Sequence, residues 1–221
     1  MKEIIMPCIL YKKDGRIARI TLNRPKRLNA IDDQIPVKLE EAVKLADADK
    51  NIHVIVLSGN GKAFCAGYDL KYFTQEKGQN VAVQDMPWDP ITDYRWMWKN
   101  TQHFMSLWRA TKPVICKVQG MALAGGSDLA LCADIVIMEE DAQIGYMPTR
   151  VWGTPTTAMW VYRIGPEKAK RLLFTGDKIT GREAADLGLI LEAVPAENLD
   201  REVDDLAKRM CAVPINQLAM Q

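Results

Sequence analysis

Gly61-Lys62-Ala63-Phe64-Cys65-Ala66-Gly67-Tyr68-Asp69-Leu70 follows the apolar run Val54-Ile55-Val56-Leu57, and the reading of this junction decides the fold. Four consecutive apolar residues, stopped by Ser58-Gly59-Asn60, read as a strand buried on both faces. The small residues that follow let backbone approach a ligand closely, and Asp69 stands where a helix would begin. The N–H groups of a helix start favour negative charge, so Asp69 reads as a helix cap in preference to a catalyst. The same design returns at Gln119-Gly120-Met121-Ala122-Leu123-Ala124-Gly125-Gly126-Ser127-Asp128-Leu129, after the apolar run Val114 to Val118. Two glycine turns, each behind a buried strand, suggest a pair of backbone donors converging on one oxygen.

Upstream, Cys8 to Tyr11 and Ile17 to Leu22 flank Lys13-Asp14-Gly15-Arg16, which predicts a hairpin. Apolar residues at Ile35, Leu39, Ala42, Val43 and Ala46 have helical spacing, with Pro36 tolerated in the first turn. Downstream, Asp134 to Met138 is a further buried strand. The alternation of strand, glycine turn and helix predicts a layered α/β fold with crossover connections. Residues 75 to 92 lack periodicity and read as a long surface excursion. From Tyr94 the positions Tyr94, Met97, Trp98, Met105 and Trp108 have helical spacing; the stripe reads as a core face, with an acyl-pocket lining as the alternative.

Composition narrows the function classes. The 221 residues carry 29 basic and 28 acidic side chains, a net +1, which gives no large positive field for nucleic acid. Five scattered cysteines without a CxxC pair, and only two histidines, argue against a zinc site and against a secreted disulfide framework. No apolar run is long enough to span a bilayer, and the expectation is a cytoplasmic, reduced protein. His53 reads as structural. Cys65 beside the first turn lacks a histidine context for a thiol nucleophile.

The two glycine turns resemble the paired signatures of the enoyl-CoA hydratase/isomerase, or crotonase, superfamily. The resemblance extends from Leu22-Asn23-Arg24-Pro25 and Leu28-Asn29-Ala30 through Thr111-Lys112-Pro113-Val114 and Cys132-Ala133-Asp134-Ile135. It ends at Leu173-Phe174-Thr175-Gly176 and Ala184-Ala185-Asp186-Leu187-Gly188-Leu189. It implies an α/β spiral of β-β-α units and a homo-trimer or dimer of trimers. It also implies an acyl-CoA thioester substrate, with no cofactor other than that coenzyme A. The N–H groups of Tyr68 and Gly125 would form the oxyanion hole for a thioester enolate, and Asp128 would transfer the proton. Lys26, Arg27 and Leu28 fall where relatives contact the phosphates and pantetheine arm, and Lys62, Ala63 and Ala66 where the adenine end rests against backbone. Lysine and arginine suit phosphate, although Lys26 and Arg27 also read as solvated loop charges. On this pattern residues 1–195 form the spiral core, and 196–221 begin a C-terminal helical trimerisation region that is truncated here.

The sequence departs from the hydratase pattern of two glutamates. Asp128 is shorter than glutamate by roughly 1.5 Å, and an error of about 1 Å can cost on the order of a hundredfold in rate. The second glutamate aligns, after one inserted residue, with Thr149, whose hydroxyl can orient water but is an inefficient base. Three readings fit: single-carboxylate isomerisation by Asp128; hydration or thioester hydrolysis shared with an unrecognised group; or acyl-CoA or RNA binding without turnover. Arg150 would hold a second substrate carboxylate or lower the Asp128 pKa, with an interface salt bridge as the alternative.

Overall fold

The computed structural model describes residues 3–6, 8–75, 84, 86–151 and 153–221, without the side chains of 3–5 and 75. The predicted hairpin is β2 (Ile9–Asp14) and β3 (Ile17–Leu22), paired antiparallel, with Gly15 at φ +58° in its turn. A strand that the apolar pattern did not announce, β1 (Glu3–Met6), adds antiparallel to β2. Helix α1 (Gln34–Ala48) then buries Ile35, Leu39, Ala42, Val43 and Ala46, the apolar set given by its spacing. Its first turn is held by Asp32, whose Oδ1 accepts from the Gln34 and Ile35 N–H groups at 3.1 and 3.0 Å.

The apolar runs form the buried centre of the main sheet. Strands β4 (Val54–Gly59), β5 (Val114–Val118) and β7 (Ile135–Glu139) run parallel beside β3, and β10 (Glu192–Val194) closes the far edge. A second sheet is made of three-residue strands, β6 (Met121–Leu123), β8 (Gln143–Gly145) and β9 (Lys178–Thr180). The chain thus passes from the large sheet (β5, β7) to the small one (β6, β8) and on into α4 (Gly125–Leu131) or α5 (Met159–Thr175). This is the expected spiral of β-β-α units. Gly165 and Pro166 break α5 into two pieces.

Five further α-helices complete the path among the described residues. Helix α2 (Leu70–Gln75) follows the first glycine turn, α3 (Pro90–Trp108) packs on α1, and α6 (Gly181–Leu187) begins with a reciprocal cap between Thr180 and Glu183. Of the unpatterned stretch 75–92, residues 76–83 and 85 lie outside the described residues. The aromatic stripe of α3 is shifted from the expected one. Asn100, Phe104 and Leu107 are buried, Tyr94 and Trp98 are exposed, and Met97 faces a cavity. Helix α7 (Leu199–Cys211) lays Leu199, Val203 and Ala207 against Ile17, Val54, Val56, Ile115 and Ile137. Residue 195 therefore falls between the sheet and the helix that covers its second face. A last short helix, α8, spans Ile215–Met220.

Candidate active site

The small sheet brings the two glycine turns together. Cys65 bridges Ala122, its N–H donating to Met121 O at 3.0 Å and its carbonyl accepting from the Leu123 N–H at 3.0 Å. One step further, Tyr68 bridges Ile31: the Ile31 N–H donates to Gly67 O at 2.8 Å and the Asp69 N–H to Ile31 O at 2.9 Å. That register turns the Tyr68 N–H away from Ile31. Gly125 opens α4, where the first N–H groups of a helix lack intrahelical acceptors. Among the described residues, neither the Tyr68 nor the Gly125 N–H has a protein acceptor. Gly67 stands between the turns at φ +95°, and a Cβ there would lie 2.8 Å from Ala124 Cβ and 3.6 Å from the Gly125 nitrogen. Only glycine allows this approach without strain.

Both residues line one cavity of about 610 Å³, whose walls include Ala66, Met97, Tyr146, Val151 and Thr156. The size and apolar character suit a small-molecule site. The Tyr68 ring packs in an aromatic cluster with Phe73, Trp96 and Phe104, at centroid distances of 6.0, 5.8 and 6.5 Å. Burial holds the Tyr68 and Tyr146 hydroxyls well above the ordinary tyrosine pKa, and the nearby Asp128 charge adds to both shifts. The two phenols therefore stay neutral.

Asp128 is 1% exposed, in the first turn of α4. Its Oδ1 accepts from Thr157 Oγ1 at 3.4 Å, and its Oδ2 from the Thr156 N–H at 3.4 Å and Thr156 Oγ1 at 3.5 Å. Burial pushes its carboxyl pKa from 3.8 up to about 7, and the threonine contacts only partly offset this. The cavity wall is formed by Thr156, and the shorter aspartate stops behind it. Thr156 and Thr157 were not singled out in the sequence. They sit 28 and 29 positions beyond Asp128, and no local pattern announces that contact.

Other expectations are corrected. Thr149 and Arg150 turn away from Asp128 toward Gly176, where an added Cβ would meet Thr149 Cγ2 at 2.9 Å and Arg150 Cγ at 3.1 Å. Arg150 donates to Asp177 Oδ1 at 3.1 Å and to Thr175 O at 2.8 Å, and it lines a separate cavity. Both residues lie in a 3₁₀ turn over Met147–Val151. Hence the guanidinium does not line the cavity of Tyr68 and Gly125, and it does not lower the Asp128 pKa. Ala63 is buried in this single chain, and its carbonyl accepts from Asn29 Nδ2 at 2.8 Å.

Lys26, Arg27 and Lys62 lie on neighbouring turns, since a Cβ on Gly61 would touch Pro25 Cβ at 3.0 Å. Lys26 and Lys62 are exposed, and Leu28 O receives the Ala66 N–H at 3.0 Å, which ties this rim to the cavity. Beneath it, Arg24 pairs with Asp32 at 3.2 Å and Asp69 at 3.0 Å. Asp69 is a cap, accepting from the Tyr72 N–H at 3.1 Å. Cys65 is buried, its thiol pushed up to about 12, and His53 Nδ1 bonds Val213 O at 3.0 Å. Neither takes part in the site.

The sequence profile described as enoyl-CoA hydratase/isomerase matches residues 12–221. The chain is 33% identical over 214 residues to a protein of Dictyostelium discoideum named "Probable enoyl-CoA hydratase, mitochondrial", covering 95% of this chain and 72% of that one. It is 33% identical over 207 residues to the mitochondrial enoyl-CoA hydratase of Pongo abelii, covering 90% of this chain and 65% of that protein. A crystal structure of an enoyl-CoA hydratase from Mycobacterium smegmatis superposes with a TM-score of 0.91 at 45% identity, over 98% of this chain and 75% of that one. The chain thus spans about two thirds to three quarters of the length of these proteins. With its two glycine turns joined at one cavity and its profile matched almost end to end, the chain belongs to the enoyl-CoA hydratase/isomerase family.

Proposed function

We propose that this protein binds an acyl-CoA thioester and catalyses enoyl-CoA hydration or double-bond isomerisation through an enolate. The observation that carries the proposal is the pair of acceptor-free N–H groups, Tyr68 and Gly125, in one cavity with the Asp128 carboxyl immediately behind its wall. The thioester carbonyl would accept from both N–H groups. Such donors are worth roughly 3 to 4 kcal/mol each as negative charge develops on that oxygen. The exposed Lys26 and Lys62 and the adjacent Arg27 form a basic rim suited to the phosphates of coenzyme A.

In hydration, the Asp128 carboxylate takes a proton from water as the water oxygen bonds to Cβ and the π electrons move onto the thioester oxygen. The enolate then collapses and Cα takes that proton back from Asp128. One water is consumed and the carboxylate is regenerated, with no metal or redox group in the scheme. A carboxyl titrating near 7 gives and accepts protons with comparable ease at neutral pH. Isomerisation uses the same carboxylate to move a proton between Cα and Cγ. We place this activity in fatty-acid or related acid metabolism, in the cytoplasm. Buried free cysteines and the lack of a membrane-crossing helix among the described residues are compatible with that location.

The test is incubation with enoyl-CoA substrates of several chain lengths in deuterated water, read by mass spectrometry. Deuterium at Cα with water addition or a shifted double bond is the expected result. Thioesters that bind without exchange, hydration or isomerisation would overturn the proposal.

A further inference from the structure

We propose that the Thr156 hydroxyl is the group through which Asp128 exchanges its proton with the cavity. This rests on the enolate reading above and assigns the partner missing at Thr149. Three observations carry it. Asp128 is buried and does not line the cavity, whereas Thr156 does. Thr156 Oγ1 stands 3.5 Å from Asp128 Oδ2, on the side of the carboxylate that faces the cavity wall. Thr157 holds the other oxygen, Oδ1, at 3.4 Å, and the Thr156 N–H fixes Oδ2 at 3.4 Å, so the carboxylate is aimed at the hydroxyl. These contacts are long, and catalytic hydrogen bonds commonly shorten when substrate is bound.

The step balances as a two-proton relay. A water in the cavity gives a proton to Thr156 Oγ1 as the hydroxyl gives its own proton to Asp128 Oδ2, and the water oxygen bonds to Cβ. Reversal delivers the proton to Cα and restores both groups. Thr156 remains a neutral alcohol before and after, so its high intrinsic pKa is no obstacle. The groups facing Asp128 are Thr156 and Thr157 ahead of α5, Tyr68 ahead of α2, Tyr146 after β8, and Cys132 at the end of its own helix. The tyrosines and the thiol have raised pKa values and stay neutral. Asp128 is thus the member of this cluster that titrates near neutrality.

The experiment compares wild type, Thr156→Ser and Thr156→Val for enoyl-CoA hydration and for deuterium exchange at Cα of a saturated acyl-CoA. It includes the dependence of the native rate on the deuterium fraction of the solvent. The relay expects Thr156→Ser to stay within about threefold and Thr156→Val to lose about a hundredfold in kcat with little change in KM. It also expects the native rate to curve with deuterium fraction, because two protons move together. A fully active Thr156→Val, a Thr156→Ser as impaired as Thr156→Val, or a linear dependence overturns the relay while leaving the enolate reading intact. A wild type inert in both assays overturns both. Should Thr156→Val not fold, the serine variant and the native isotope curve still decide.

Discussion

At the scale of the residue, Asp128 links the reaction to stability. Its carboxyl titrates at about 7 when folded against 3.8 for the ordinary group, so the folded chain holds more protons than the unfolded chain between those values. Its contribution to stability is therefore fully present below about pH 4 and is lost as pH rises through 7, at ~1.4 kcal/mol for each pH unit between the two values. Asp128→Asn removes the buried charge. We expect it to melt above wild type at pH 8 and close to it at pH 4, measured by calorimetry, while turnover falls on the order of a thousandfold. If wild type and variant melt alike at both pH values, the Asp128 carboxyl is solvated and not buried. Gly125 gives a second prediction. A Cβ there would meet Tyr68 Cε2 at 2.9 Å and Ile31 Cδ1 at 3.0 Å. Gly125→Ala should push the Tyr68 ring away, spread the two N–H groups and lower kcat by about a hundredfold, with coenzyme A affinity retained in calorimetric titration.

At the scale of the element, the loop carrying Lys26 to Leu28 is tied down by the half-buried Arg24 and the buried Asn29. Arg24 joins Asp32, which holds the first turn of α1, to Asp69, which caps α2, and Asp69 is 5% exposed. Removing Arg24 costs its hydrogen bonds to the two carboxylates and leaves the buried Asp69 with Arg27, at 3.7 Å, as its cation. Arg24→Ala should therefore cost about 1.5 to 3 kcal/mol in urea unfolding and weaken coenzyme A binding as the rim loosens. Unchanged unfolding would show that the pairs are solvated. The capping box of α6 is a smaller case: Thr180→Ala should cost about 1 kcal/mol without affecting binding. Legibility differs among these elements for physical reasons. The spacing in 35–46 and the runs at 54–57 and 114–118 were readable because burial imposes a period or an unbroken apolar stretch. The strands β6, β8 and β9 have three residues each, too few to show a period, and they fold as strands through pairing with one another. On α3 the aromatic content was legible but its phase was not, because Tyr94 and Trp98 are as apolar as the buried Phe104.

At the scale of the whole molecule, large apolar side chains remain on the surface of the single chain. Leu70 and Val151 are each 74% exposed and Phe174 is 78% exposed, and scattered single residues of this kind are ordinary whereas contiguous ones mark contact surfaces. The homo-trimer or dimer of trimers that the family resemblance implies makes the prediction that sedimentation equilibrium gives a mass that is a multiple of three of the 24.9 kDa chain. A monomer throughout the micromolar range would reject it. By resemblance to its family the sequence implied the spiral of β-β-α units, and by itself it determined the layered α/β pattern, the two glycine turns with Tyr68 and Gly125, and Asp128 as the acid of the second turn. Those features are written locally, in residues that must be small, apolar or acidic where they stand. Only the tertiary structure decided which groups meet. It placed Thr156 and Thr157 on Asp128 and turned Thr149 and Arg150 toward Gly176 and Asp177. It also made Arg24 the clamp beneath the basic rim. A contact across 28 residues follows from how successive turns of the spiral stack, and stacking is a property of backbone pairing that no short stretch of side chains encodes.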